Sequence, residues 1–87
     1  MASIVFEDKM ENERLYRDGK IPVEIYNLAN SIIDTYPAHF RRKYEKSKDI
    51  QALDKEIISL IEELKANRNA YLASIIRHVY NEFKLAI

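Results

Sequence analysis

The chain is predicted to be all-α, a small antiparallel bundle of four to five helices ending in a long C-terminal helix or helix pair. Three observations predict this. Residues 49–87 contain neither glycine nor proline. Their apolar residues return every three to four positions: Ile50, Leu53, Ile57, Leu60, Ile61, Leu64, then Leu72, Ile75, Ile76, Val79, Phe83. The single glycine and both prolines, at 19, 22 and 37, fall where helices would end or begin.

The first helix is expected over residues 4–18. Ser3 is a plausible cap, and Glu7 and Asp8 suit the positive end of the helix dipole. Its apolar positions are Ile4, Val5, Phe6, Met10, Leu15 and Tyr16. Gly19 comes directly after and fits a left-handed C-terminal cap, where a Cβ would clash. The second helix opens at Pro22, whose missing N–H is no loss in a first turn. Val23, Ile25, Tyr26, Ala29, Ile32, Ile33 and Tyr36 carry its apolar stripe. Pro37 is expected to stop it, because the residue before a proline is pushed out of the α region. A short helix over residues 37–44 then places Phe40 and Tyr44 on one face, and Glu45–Lys48 reads as a loop. Ser47 or Asp49 caps the next helix.

As one straight helix, residues 49–87 would be about 58 Å long at 1.5 Å per residue. A compact domain of this length has a radius of gyration of roughly 12 Å. A break at Asn67-Arg68-Asn69 is therefore expected, with an asparagine in the left-handed cap. A continuous helix in an elongated bundle is the alternative. Tyr71, Ile75, Val79, Tyr80 and Phe83 lie on a wide apolar face and are the expected core or protein-interface anchors.

A chain of 87 residues makes a single domain, 1–87. Fourteen Lys and Arg balance fourteen Asp and Glu, so no global field draws the chain to nucleic acid or anionic lipid. The absence of cysteine excludes disulfides and thiolate metal sites. Residues 1–8 are not expected to act as a signal peptide, since their apolar run is short and acids follow, and no apolar run approaches the roughly 20 residues of a membrane span. The expected location is the cytoplasm, with no membrane partner.

Candidate chemistry is sparse. Ser74 and His78, one turn apart, form a drawable nucleophile–base pair, but the sequence specifies no orienting acid. His78-x-x-x-Glu82, with Glu62 and Glu63, lacks the multi-helix Glu-x-x-His spacing of known helical metal sites. No catalytic residue, metal or cofactor is therefore expected. The strongest local feature is basic and aromatic. Arg41, Arg42, Lys43, Lys46 and Lys48 alternate with Tyr36, His39, Phe40 and Tyr44. Such a patch suits phosphates and stacked bases, or an acidic protein. The competing reading turns Phe40 and Tyr44 into the core and leaves the cations solvated.

The order of features resembles one family. An Ile21-Pro22-Val23-Glu24-Ile25-Tyr26 helix start is followed by a basic stretch ending near Asp49. Ile57-Ile58-x-Leu60-Ile61-Glu62-Glu63-Leu64 then passes through Arg68 into a closing helix, Leu72 to Ile87. This is similar to the helical domain of GINS subunits, replication factors that bridge the replicative helicase. The resemblance implies a non-enzymatic assembly module in DNA replication, working through another protein chain as a homo- or hetero-oligomer. In length and helix count the chain also resembles small bacteriocin-immunity bundles, which implies an inhibitor that masks a target. A small nucleic-acid-binding protein using Arg41, Arg42, Lys43, Lys46 and Lys48 is the second expectation, ahead of the inhibitor.

Overall fold

The computed structural model describes the backbone of residues 4–87 and the side chains of residues 6–87. The Ser3 cap and the Ile4 and Val5 side chains lie outside the described residues. Four helices succeed one another: α1 (Ile4–Arg17), α2 (Val23–Ser47), α3 (Ile50–Ala66) and α4 (Ala70–Leu85). They form an all-α bundle with no strand among the described residues. Successive helices run antiparallel, as their cross-helix pairs show: Lys9 with Asp34, Lys43 with Glu56, and Tyr80 with Asp54.

α4 packs against all three other helices, and α1 and α3 do not touch. The array is flat, 41 × 33 × 17 Å, with α2 and α4 between α1 on one side and α3 on the other. The core is built from α2, α3 and α4. Ala29, Ile32, Ile33 and Phe40 meet Leu53, Ile57 and Ile61 around the buried stripe of α4. Each fully buried aliphatic or aromatic side chain stabilises by about 1.5–3 kcal/mol. The width of the α4 stripe reflects its place, since a helix touched on three sides needs apolar residues around most of its circumference.

The helix ends obey local chemistry. Lys20 N donates to Leu15 O (2.8 Å) and Gly19 N to Tyr16 O (3.1 Å), the paired bonds of a Schellman cap. Gly19 takes φ +72° there, as expected. Pro22 is the extended residue just before α2, and its carbonyl accepts from Tyr26 N at 3.0 Å. Asp49 caps α3 by accepting from Ala52 N at 3.1 Å.

The break expected at 67–69 is present, but Arg68 rather than an asparagine takes the left-handed conformation, at φ 63°. The paired bonds again explain it. Asn69 N donates to Leu64 O (2.8 Å) and Arg68 N to Lys65 O (3.1 Å), which places Arg68 where the motif requires positive φ.

Two expectations are corrected. Pro37 does not end the second helix; α2 runs through it to Ser47, and Glu45–Ser47 is helical rather than a loop. Proline in a helix interior costs about 3 kcal/mol, because Ile33 O loses its donor and the ring crowds that carbonyl. Continuing the helix keeps Phe40 in register with Ile33, seven residues earlier. Phe40 is thereby fully buried, with its ring 5.2 Å from Tyr80 and 5.8 Å from Phe83. The burial of Phe40, with Tyr44 partly buried beyond it, offsets the proline.

Candidate functional site

α3 leans on α4 and touches α2 far less. Between them α2 and α3 leave a groove of 280 Å³. Leu28 and Tyr36 of α2 and Leu60 and Leu64 of α3 form its walls, and Leu72 and Ile76 of α4 its floor. No charged side chain lines it. Leu28, on the lip, is 51% exposed. Near the α2–α3 turn a second hollow is lined by Lys43, Lys46, Ser47, Ala52, Leu53 and Glu56.

The groove has a local origin. Leu28 and Leu60 sit at the edge of their stripes, one helical step outside the residues that face α4. Both are apolar where a simple two-sided amphipathic helix would carry polar side chains. Glu24 lies one turn before Leu28, and Glu63 three residues after Leu60. At the turn end Lys43 is paired with Glu56, and Lys46 stands beside them.

The expected anchors of α4 are core residues. Ile75, Val79, Tyr80 and Phe83 are buried and Tyr71 is half-buried, packed against the same cluster. The basic cluster splits. Arg41, Arg42, Lys46 and Lys48 are exposed. Lys43 is ion-paired with Glu56, and Lys48 lies over the Tyr44 ring, 5.4 Å from its centroid. Phe40 is in the core and Tyr36 and Tyr44 are half-buried, so a continuous row of stacking rings is not presented to solvent.

Two polar clusters hold the helices in register. The first joins α1 to α2 and α4. Asn12, fully buried, donates through Nδ2 to Tyr26 O and Asn30 Oδ1, both at 3.1 Å. It accepts from the Tyr71 hydroxyl at 2.7 Å. Burial, with the Asp8 and Glu11 charges nearby, pushes the Tyr71 phenol up to about 12. His78 Nδ1 meets Asp8 Oδ2 at 2.8 Å. Asp8 is thus the acid beside His78 that the sequence does not specify. Ser74, however, donates its hydroxyl to Tyr71 O at 2.7 Å, a helix-surface bond that turns it from the role of nucleophile.

The second cluster joins α3 to α4. The Tyr80 hydroxyl donates to Asp54, and Lys84 Nζ is 3.1 Å from the same carboxylate. The Tyr80 hydrogen bond, then Lys84, hold Asp54 below its ordinary value. Burial and the Asp54 carboxylate push the Tyr80 phenol up. Asp8 and Asn12 do not stand out in the sequence, where only their place on the polar side of a weak stripe is visible. No group of three or more His, Asp or Glu side chains suited to a metal occurs among the described residues. No described helix is long and apolar enough to cross a membrane. The chain matches no protein-family model, and no curated protein or solved structure is significantly similar to it.

Proposed function

We propose that the chain is a non-catalytic binding module that takes a helix of another protein chain in the α2–α3 groove. The observation that carries this reading is an open, uncharged and mainly apolar cleft, in which Ser31 and Asn69 are the polar lining residues. Exposed apolar grooves on small domains mark contact sites, and amphipathic helices are their common occupants. Helix-in-groove binding needs side-chain anchors at i, i+3 or i+4, and the row of Leu28, Tyr36, Leu60 and Leu64 suits such anchors. The hydrogen bonds of Ser74 and His78 support a structural rather than a catalytic use of those residues. The likeness of residues 21–26 and 57–64 to the helical domain of GINS subunits supports assembly in DNA replication as the setting.

The test is a photo-crosslinking residue at Leu28 in the native cell, with one at Lys55 as control. A discrete protein adduct from position 28, weak from position 55 and lost on Leu64→Glu, is the expected result. Adducts to nucleic acid alone, or none above the control, would overturn the reading.

A further inference from the structure

The second half of α2 carries an unbalanced charge. Residues 38–48 hold Arg41, Arg42, Lys43, Lys46 and Lys48 against one carboxylate, Glu45, in a chain whose formal net charge is zero. Lys43 is paired with Glu56. Arg41 shares a hollow with Glu82, and Lys48 lies over the Tyr44 ring. Arg42 and Lys46 are exposed and make no ion pair among the described residues. They stand one turn apart, with the exposed His39 one turn before Arg42, so the three share a row on the outer side of α2. Because α2 continues through Pro37 to Ser47, the row is held on a helix and not on a loop.

The helix dipole does not account for this row. Its pull on cations falls off within the last turn, which holds Lys46 but not Arg42. The marks of a protein contact or a bilayer anchor are missing too. No exposed large apolar side chain occurs between Leu28 and Ile58. Protein contacts centre on well-packed, desolvated anchors, and helices that lie on membranes bury an apolar face. Base stacking is not served either, since Phe40 is in the core and Tyr36 and Tyr44 pack against it. The row offers cations and an imidazole N–H, groups that bind phosphate oxygens without reading bases. A duplex presents phosphates at about one charge per 1.7 Å, twice the density of a single strand.

We propose that Arg42 and Lys46, with His39, form a sequence-independent contact for the phosphate backbone of a nucleic-acid duplex, flanked by Arg41 and Lys48. The contact does not require the α2–α3 groove to be occupied.

Fluorescence anisotropy of a labelled DNA duplex, an RNA duplex and a DNA single strand, with the full chain over a series of salt concentrations, tests it. Binding at low salt is expected to be tighter for duplex than for single strand. The logarithm of the binding constant should fall against the logarithm of salt with a slope of about −3, roughly −0.9 per phosphate engaged. Arg42→Glu combined with Lys46→Glu should weaken binding about tenfold or more and flatten the slope by about 2. Lys65→Glu combined with Arg77→Glu makes the same change of charge at two exposed cations on the α3–α4 side and should weaken binding far less. One duplex bound and not the other identifies the source of the phosphates and supports the contact.

NMR of the wild-type chain gives a readout free of charge reversal. Adding the bound duplex should shift the amides of residues 38–48 and leave those of Leu60 and Leu64 in place. Equal losses from the two double variants, a single strand bound more tightly than duplex, or shifts centred outside residues 38–48 overturn the proposal. So does binding to vesicles of equimolar phosphatidylserine and phosphatidylcholine in place of duplex, and so does no binding at all.

Discussion

The Tyr71 hydroxyl donates a 2.7 Å hydrogen bond to Oδ1 of Asn12, 59 residues earlier in the chain. Asn12 is fully buried and has no apolar neighbour of its own helix buried with it among the described side chains. The bond is thus a principal fastening of α1 to the rest of the bundle. Asn12→Ala leaves the Tyr71 hydroxyl and the Asn30 amide short of partners in a dry site, at a cost of about 1–3 kcal/mol. Combining Asn12→Leu with Tyr71→Phe removes donor and acceptor together and should recover part of that loss. Urea unfolding of the single and double variants checks this.

α1 should open before the rest of the molecule. Hydrogen bonds to Asn12, the ion pair of Lys9 with Asp34 and the Tyr16–Tyr26 ring stack hold α1, where α2, α3 and α4 are secured by fully buried apolar side chains. Native-state hydrogen exchange is expected to show α1 amides exchanging through a sub-global opening, with the centre of α4 exchanging last. Equal protection of α1 and α4 would contradict this.

Alkaline stability depends on Tyr71. Its phenol ionises near 10 when unfolded and is held up to about 12 in the fold. The raised value means that its contribution is complete below about pH 10 and lost as pH rises toward 12. Stability measured by chemical denaturation should fall across that window. Tyr71→Phe should make the fall shallower, leaving the part that belongs to Tyr80, while lowering stability at neutral pH.

Acid stability depends on Asp54, with the opposite sign. Its depressed value means a contribution present above the ordinary 3.8 and lost as pH falls below it. Tyr80→Phe removes the largest cause of the depression. The carboxyl signal of Asp54 in an NMR titration should then move to higher pH.

Pro37 and the left-handed Lys48 and Arg68 carry backbone cost on the surface. Pro37→Ala restores an N–H for Ile33 O inside α2 and should stabilise by about 1–3 kcal/mol. Arg68→Gly relieves a left-handed non-glycine residue and should stabilise by about 1 kcal/mol. Thermal melts should rise by about 4–8 °C per kcal/mol for a domain of this size. A lower melting temperature for Pro37→Ala would mean that its ring packing beside Val79 and Phe83 outweighs the missing donor.

The helical class, the turn at Gly19, the Asp49 cap and the break near Asn67 are all legible in the sequence, because each rests on contacts within a few residues. Periodicity also marks Ile75, Val79, Tyr80 and Phe83 as an apolar face needing cover, and leaves open whether the bundle or another chain supplies it; in the structure the bundle does. Pro37 misleads because local chemistry favours a stop there. Only the fit of Phe40 against Tyr80 and Phe83 makes the uninterrupted helix the better state. The α2–α3 groove, the Asp8–His78 pair and the inward turn of Asn12 are decided by tertiary structure alone. Each depends on how far apart two helices settle or which face one shows another. Such relations arise from the packing of side chains distant in sequence, which no spacing along a single helix encodes.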